Sequence, residues 1–132
     1  MQDSALLAKA MGAAANAYCP YSKFSVGAAV LWEDGSVSLG VNVENASYPL
    51  GVCAERNAIA GGVVAGGKKI TKLAVWAAVE GTVAPCGGCR QVIHEFSEND
   101  SVPVIMGGNT DVATTAIGQL LPDAFTPSDL RK

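Results

Sequence analysis

Four residues carry chemistry by type and spacing: Cys53, Glu55, Cys86 and Cys89. Cys86 and Cys89 stand three apart in APCGGCRQ, residues 84–91. A C-x-x-C pair can be a redox dithiol, a structural metal clasp or half of a catalytic metal site. At the start of a helix the two side chains share a face, with Cβ atoms roughly 5–6 Å apart. Two thiolates so placed can close on one zinc at about 2.3 Å each. The helix N-terminus adds partial positive charge, which favours thiolate over thiol. Cys53, in VCAER (52–56), meets the same conditions at the start of another helix. Two helix N-termini can then offer three thiolates to one metal, and catalytic zinc sites keep three protein ligands with the fourth position open.

Glu55 stands two residues after Cys53, near such a metal without having to bind it. A carboxylate there can take a proton from a zinc-activated water and hand it to a leaving group. Alone, it would read as a first-turn glutamate favouring its helix dipole. Three thiolates and one zinc sum to a net −1, which works against ionising water. The helix N-termini and nearby arginines, Arg56 and Arg90, can offset that charge. Arg56 is expected to hydrogen-bond a ligating sulfur and tune the metal.

Other assignments stay open at this point. Cys86-x-x-Cys89-x₄-His94 is how a zinc knuckle begins, yet the next position such a knuckle fills with cysteine is Asn99. On a helix, His94 would also lie about 7–12 Å farther along the axis and turned away. Cys19 has nothing local to mark it as a ligand and reads as a small hydrophobe. A redox dithiol would leave Cys53 and Glu55 without a role.

The elements that must position these groups are legible in outline. Ser4 is expected to cap a helix running to about Tyr18, before Pro20. Phe24–Trp32 and Val37–Val43 read as a hairpin turned at Asp34-Gly35. Asn45–Gly51 reads as a loop, and Cys53–Ala65 as a helix closed by Gly66-Gly67. Ile70–Val79 is an apolar run of buried-strand type, Gly87–Phe96 a helix, and Val102–Met106 and Val112–Thr115 short strands. Ile117–Leu121 closes as a short helix before Pro122. This order predicts an α/β layered domain with a mixed sheet whose middle strands are covered on both faces.

The chain has 132 residues, the size of one domain with a real core. With 49% hydrophobic and 16% charged residues it reads as folded rather than disordered. A net charge of −3, with Lys68-Lys69 the longest basic run, argues against nucleic-acid binding. No membrane-span run or signal peptide is evident, so a cytoplasmic location is expected, where four cysteines are ligands or free thiols rather than disulfides.

Cys53-Ala54-Glu55 with Pro85-Cys86-Gly87-Gly88-Cys89 matches the C-x-E … P-C-x-x-C form of the zinc nucleobase deaminase signature. The likeness extends to YCPYSKFSVGAAV (18–30), GVNVENASYPLGVCAERNAI (40–59), PCGGCRQVIHEF (85–96) and LLPDAF (120–125). Over nearly its whole length the chain resembles the small homotetrameric cytidine deaminases. That resemblance implies a single domain over 1–132: a three-layer α/β/α fold with a five-stranded mixed sheet. It implies zinc held by Cys53, Cys86 and Cys89, with Glu55 as proton shuttle. It implies ribose recognition by Asn42 and Glu44, base stacking on Phe24, and base reading at the Ala54 backbone. Tyr48 and Phe125 match residues that reach toward a neighbouring subunit's site. The implied reaction is deamination of cytidine or deoxycytidine to the uridine product in pyrimidine salvage. The rivals are a zinc deaminase of a related nucleoside such as blasticidin S, and a non-catalytic zinc-stapled module with four protein ligands.

Overall fold

The computed structural model describes residues 1–131. Its elements run α1 (Asp3–Ala14), β1 (Val26–Trp32), β2 (Val37–Val41), α2 (Ala54–Val64), β3 (Ile70–Ala77), α3 (Gly87–Phe96), β4 (Pro103–Gly107), β5 (Val112–Ala116) and α4 (Ile117–Leu120). Short 3₁₀ turns cover Tyr48–Leu50 and Pro127–Arg131. The five strands form one sheet in the order β2-β1-β3-β4-β5. Only β3 and β4 run parallel, so the sheet is mixed. A parallel pair needs a long crossover, and α3 supplies it.

Strand alternation sorts the side chains into two cores. Ala29, Ala74 and Ile105 face α1, meeting Leu6 and Ala10. Ala28, Val30, Leu73, Val75 and Val104 face the opposite way, packing with Ala58 and Ile59 of α2 and Ile93 of α3. The result is three layers, with apolar residues on both sides of the central strands. Ile93 is fully buried one turn after Cys89, so it anchors the helix that carries two of the cysteines. Truncating such a side chain to alanine costs about 2–5 kcal/mol.

The hairpin turns where the sequence places it. Gly35 has φ +86°, its N–H donates to the Trp32 carbonyl at 2.9 Å, and Asp34 Oδ1 accepts from the Ser36 N–H and hydroxyl at 2.9 and 2.6 Å. From β1, Trp32 Nε1 donates to Ser38 Oγ (2.9 Å), which donates to the Ala58 carbonyl (2.7 Å). Asn57 Nδ2 donates to the Val41 carbonyl at 2.8 Å. These bonds lock α2 onto the hairpin. Gly40 permits the close approach, because a Cβ there would lie 2.3 Å from both Ala54 O and Ala58 N.

Boundaries of α1, β1 and β2 differ from the sequence expectation. Helix α1 starts at Asp3 and is capped by the Gln2 backbone, with Ser4 inside its first turn. It ends at Ala14 rather than Tyr18, because the Tyr18 N–H donates to Asn42 O (3.0 Å) and the Tyr18 carbonyl accepts from Glu44 N (2.8 Å). Pairing outweighs the local helix preference of this alanine-rich stretch. Strand β1 begins at Val26, not Phe24, because the Phe24 main chain is engaged by side chains. Strand β2 ends at Val41, beyond which Val43 pairs with Val52 through bonds of 3.0 and 2.9 Å.

Candidate active site

Cys53 and Cys86 occupy equivalent places, each the extended N-cap of its helix, with φ/ψ of −71°/156° and −65°/166°. At these N-caps the two sulfurs stand where the N-termini of α2 and α3 meet. Cys89 lies one turn into α3, and its sulfur is 3.4 Å from that of Cys86. The three sulfurs of Cys53, Cys86 and Cys89 lie within 4.8 Å of one another. They are graded in burial: Cys89 buried, Cys53 half-buried, Cys86 exposed. Three soft sulfurs converging on one point suit zinc and leave one tetrahedral position open.

The electrostatics of the bare cluster are opposed. The Cys89 backbone N–H pulls the Cys86 thiol below its ordinary range. Burial, helped by the Glu55 carboxylate, pushes the Cys89 thiol up. A divalent cation that replaces the thiol protons relieves this opposition. Arg56 Nη2 donates to Cys53 Sγ at 3.5 Å, while its Nε is buried without a partner. Arg90 turns away from the sulfurs: its guanidinium donates to the carbonyls of Pro85 (2.9 Å) and Leu120 (3.1 Å), stapling α3 to α4. His94 lies outside the cluster, its Nε2 3.0 Å from Asp100 Oδ1, and Cys19 Sγ sits 3.3 Å from Ser25 Oγ.

Glu55 is the one buried charged side chain among the described residues, at 5% exposure. Burial raises its pKa, opposed by its own backbone N–H, by Cys89 and by Arg56. A carboxyl group held above its usual range is suited to carrying protons near neutral pH.

A cavity of about 210 Å³ opens beside the sulfurs and brings together Phe24, Asn42, Cys53, Ala54, Glu55 and Cys86. Val26, Val75, Val83 and Ala84 complete its wall. These four escaped the sequence reading. Val83 and Ala84 directly precede Pro85, and alternation along β1 and β3 points Val26 and Val75 toward the α2 side, so a signal existed.

Glu44 and Tyr48 line a second pocket, of about 310 Å³, together with Tyr21, Ser22, Asn45 and Gly51. Phe125 lines a third, beside Asp123, Ala124 and Asp129. Tyr48 and Phe125 are exposed, at 75% and 56%. Asn42 and Glu44 flank Val43 on an extended segment, so they share one side. Asn42 Oδ1 accepts from Val26 N (2.9 Å), and its Nδ2 donates to Phe24 O (2.7 Å). Glu44 Oε1 accepts from the N–H groups of Tyr21 (3.0 Å) and Ser22 (3.1 Å), and Oε2 accepts from the Ser22 hydroxyl. The Ser22 hydroxyl is the main reason the Glu44 carboxyl lies below its usual range.

The family model described as "Cytidine and deoxycytidylate deaminase zinc-binding region" matches residues 1–106. A cytidine deaminase from Sporosarcina psychrophila is 47% identical over 131 residues, covering 98% of this chain and 96% of that one. One from Halalkalibacterium halodurans is 42% identical over 130 residues, covering 98% of each. The crystal structure of cytidine deaminase from Burkholderia pseudomallei superposes with a TM-score of 0.89 at 44% identity, covering 95% of this chain and 100% of that one. The chain therefore belongs to the cytidine and deoxycytidylate deaminase zinc-binding family.

Proposed function

We propose that this protein is a zinc-dependent cytidine deaminase, converting cytidine or deoxycytidine and water to the uridine product and ammonia in pyrimidine salvage. The observation that carries the reading is a buried carboxylate, Glu55, opening on the same cavity as Cys53 and Cys86. Cys53, Cys86 and Cys89 hold the metal. A zinc ion held there supplies the Lewis acidity that makes water a nucleophile near neutral pH. Glu55 would move the protons: one from the attacking water to the ring nitrogen beside C4, then one from the new C4 hydroxyl to the departing amine, leaving the C4 carbonyl. Burial keeps bulk water from competing for those protons. Arg56, through Cys53, draws off part of the sulfur charge.

Phe24 offers an aromatic face to the base, and the Ala54 backbone reads the base's polar edge. Asn42 keeps one amide hydrogen and one lone pair free after its two structural bonds, and Glu44 keeps one acceptor site after three. Those spare groups suit a sugar hydroxyl, which both donates and accepts. A site so built rejects analogues that lack the hydroxyl.

Residues 1–132 act as one deaminase-like domain, a reading supported by the single sheet. The protein works as a homotetramer with shared sites. The exposure of Tyr48, Leu50 and Phe125 supports this, since large apolar side chains outside the cavity are suited to a neighbouring subunit. The reading includes a cytoplasmic location, with which four free thiols accord. No helix among the described residues is long and apolar enough to cross a membrane.

The test is the ultraviolet spectrum of cytidine incubated with purified, zinc-loaded protein. Conversion to uridine is expected. An unchanged spectrum with zinc bound would sink the reading. An active monomer at assay concentration, seen by sedimentation, would refute the shared sites.

A further inference from the structure

The geometry points to Ser22 as a positioning residue that couples sugar recognition at Glu44 to the placement of Phe24. The inference rests on the deaminase reading above for what Glu44 and Phe24 contact, but its structural half stands on hydrogen bonds alone. The Ser22 hydroxyl donates to Glu44 Oε2 and accepts the Phe24 N–H at 3.0 Å. The Phe24 carbonyl is held in turn by Asn42 Nδ2 at 2.7 Å. Both main-chain polar groups of the aromatic residue are thus claimed by side chains. One is Asn42 itself, and the other reaches Glu44 through a single hydroxyl.

The Ser22–Phe24 bond is a local serine turn, whereas the Asn42 bond spans 18 residues to hold the same aromatic. Ser22 and Phe24 are both exposed, Phe24 at 41%, so burial does not force the bonds. The chain between them is committed to the conformation. Lys23 has φ +60°, a region that a lysine rarely occupies, and its N–H donates to the Cys19 carbonyl at 3.0 Å. A loop held in this way carries strain that its surroundings must offset. Among the described residues, Ser22 is the one side chain bonded both to Glu44 and to the Phe24 backbone.

The consequence is linkage. A sugar hydroxyl that bonds Glu44 acts on the same carboxylate that orients the Ser22 hydroxyl, and that hydroxyl sets the Phe24 backbone. Recognition of the sugar and stacking of the base then reinforce each other. Threonine keeps the hydroxyl and alanine removes it, so the two variants separate the hydrogen bond from the fold.

The experiment compares zinc-loaded wild type, Ser22→Ala and Ser22→Thr. Amide hydrogen exchange at Phe24 is followed by NMR. Steady-state kinetics are measured on cytidine and on 2′,3′-dideoxycytidine, which lacks the sugar hydroxyls. Ser22→Ala is expected to raise the cytidine KM about tenfold, the loss typical of a hydrogen bond to a charged group, with little change in kcat. The dideoxy analogue should lose far less, so preference for the hydroxylated sugar shrinks. Phe24 exchange should accelerate in Ser22→Ala, and Ser22→Thr should restore both properties. Equal losses on the two substrates, or unchanged exchange at Phe24, would overturn the coupling. If the wild type converts neither substrate, the deaminase reading fails, and exchange at Phe24 alone decides whether Ser22 positions the aromatic.

Discussion

The metal end of the site and its base-and-sugar end are built on different principles. At the metal end, Cys53, Glu55, Cys86 and Cys89 sit at helix starts, and their placement follows from short local sequence. At the base-and-sugar end, Phe24 and Asn42, which line the cavity, and Glu44, which lines the second pocket, sit on irregular chain held by side-chain-to-backbone bonds between residues 16 to 23 apart. Helices fix groups to the tolerance chemistry needs, whereas a stitched loop can shift its specificity with a single substitution. The metal end should therefore fail outright when altered, and the other end should fail by degrees.

The largest effect is expected from Cys89→Ser. A hydroxyl replaces the deepest sulfur, and both zinc content by atomic absorption and cytidine turnover should fall to background. Full zinc occupancy in that variant would break the three-sulfur picture. Next, Glu55→Gln should retain the metal and lower kcat by about 10²–10⁴-fold, the usual weight of a positioned acid–base group. Near-normal turnover would remove Glu55 from the proton path. Arg56→Gln comes third, with a loss of roughly 10–100-fold in metal affinity or turnover, typical of a group one step behind the ligands. If both stay unchanged, the bond to Cys53 has no tuning role.

The smallest effect belongs to pH at the loop end. Glu44 is shifted below its ordinary value of 4.5 by the Ser22 hydroxyl and the N–H groups of Ser22 and Tyr21. A depressed carboxyl contributes its bonds fully above the unfolded value and loses them as pH falls through the folded one. The cytidine KM should thus be flat across neutral pH with respect to Glu44 and rise only on the acid side of 4.5. A KM that climbs between pH 7 and 5 in wild type but not in Glu44→Gln would contradict the clamp.

The difference between the two ends also explains what could be read in advance. Helix α3 has the bounds expected of Gly87–Phe96, because Pro85, Cys86 and the apolar spacing are local signals. The three-sulfur cluster was legible for the same reason. Phe24 was misread as strand, since its main-chain partners, Ser22 Oγ and Asn42 Nδ2, leave no local mark. Ser4 failed as a cap because the Gln2 backbone takes the first helical bonds two residues earlier than propensity suggests. Asn42 and Glu44 came into view only through likeness to known deaminases. Both side chains hold the loop, while Asn42 also lines the cavity and Glu44 the second pocket, and no spacing rule announces that.

Gly40 shows how far from the cavity a variant can act as though it were inside it. The residue touches none of the chemistry, yet any side chain there would collide with the Ala54 and Ala58 backbone, in the helical turn that follows Cys53 and carries Glu55 and Arg56. Helix α2 would have to lift, carrying one sulfur away from the other two. Inherited or engineered change at this position would present as an enzyme defect, and its origin would be one carbon in place of a hydrogen on the α2-facing side of a strand.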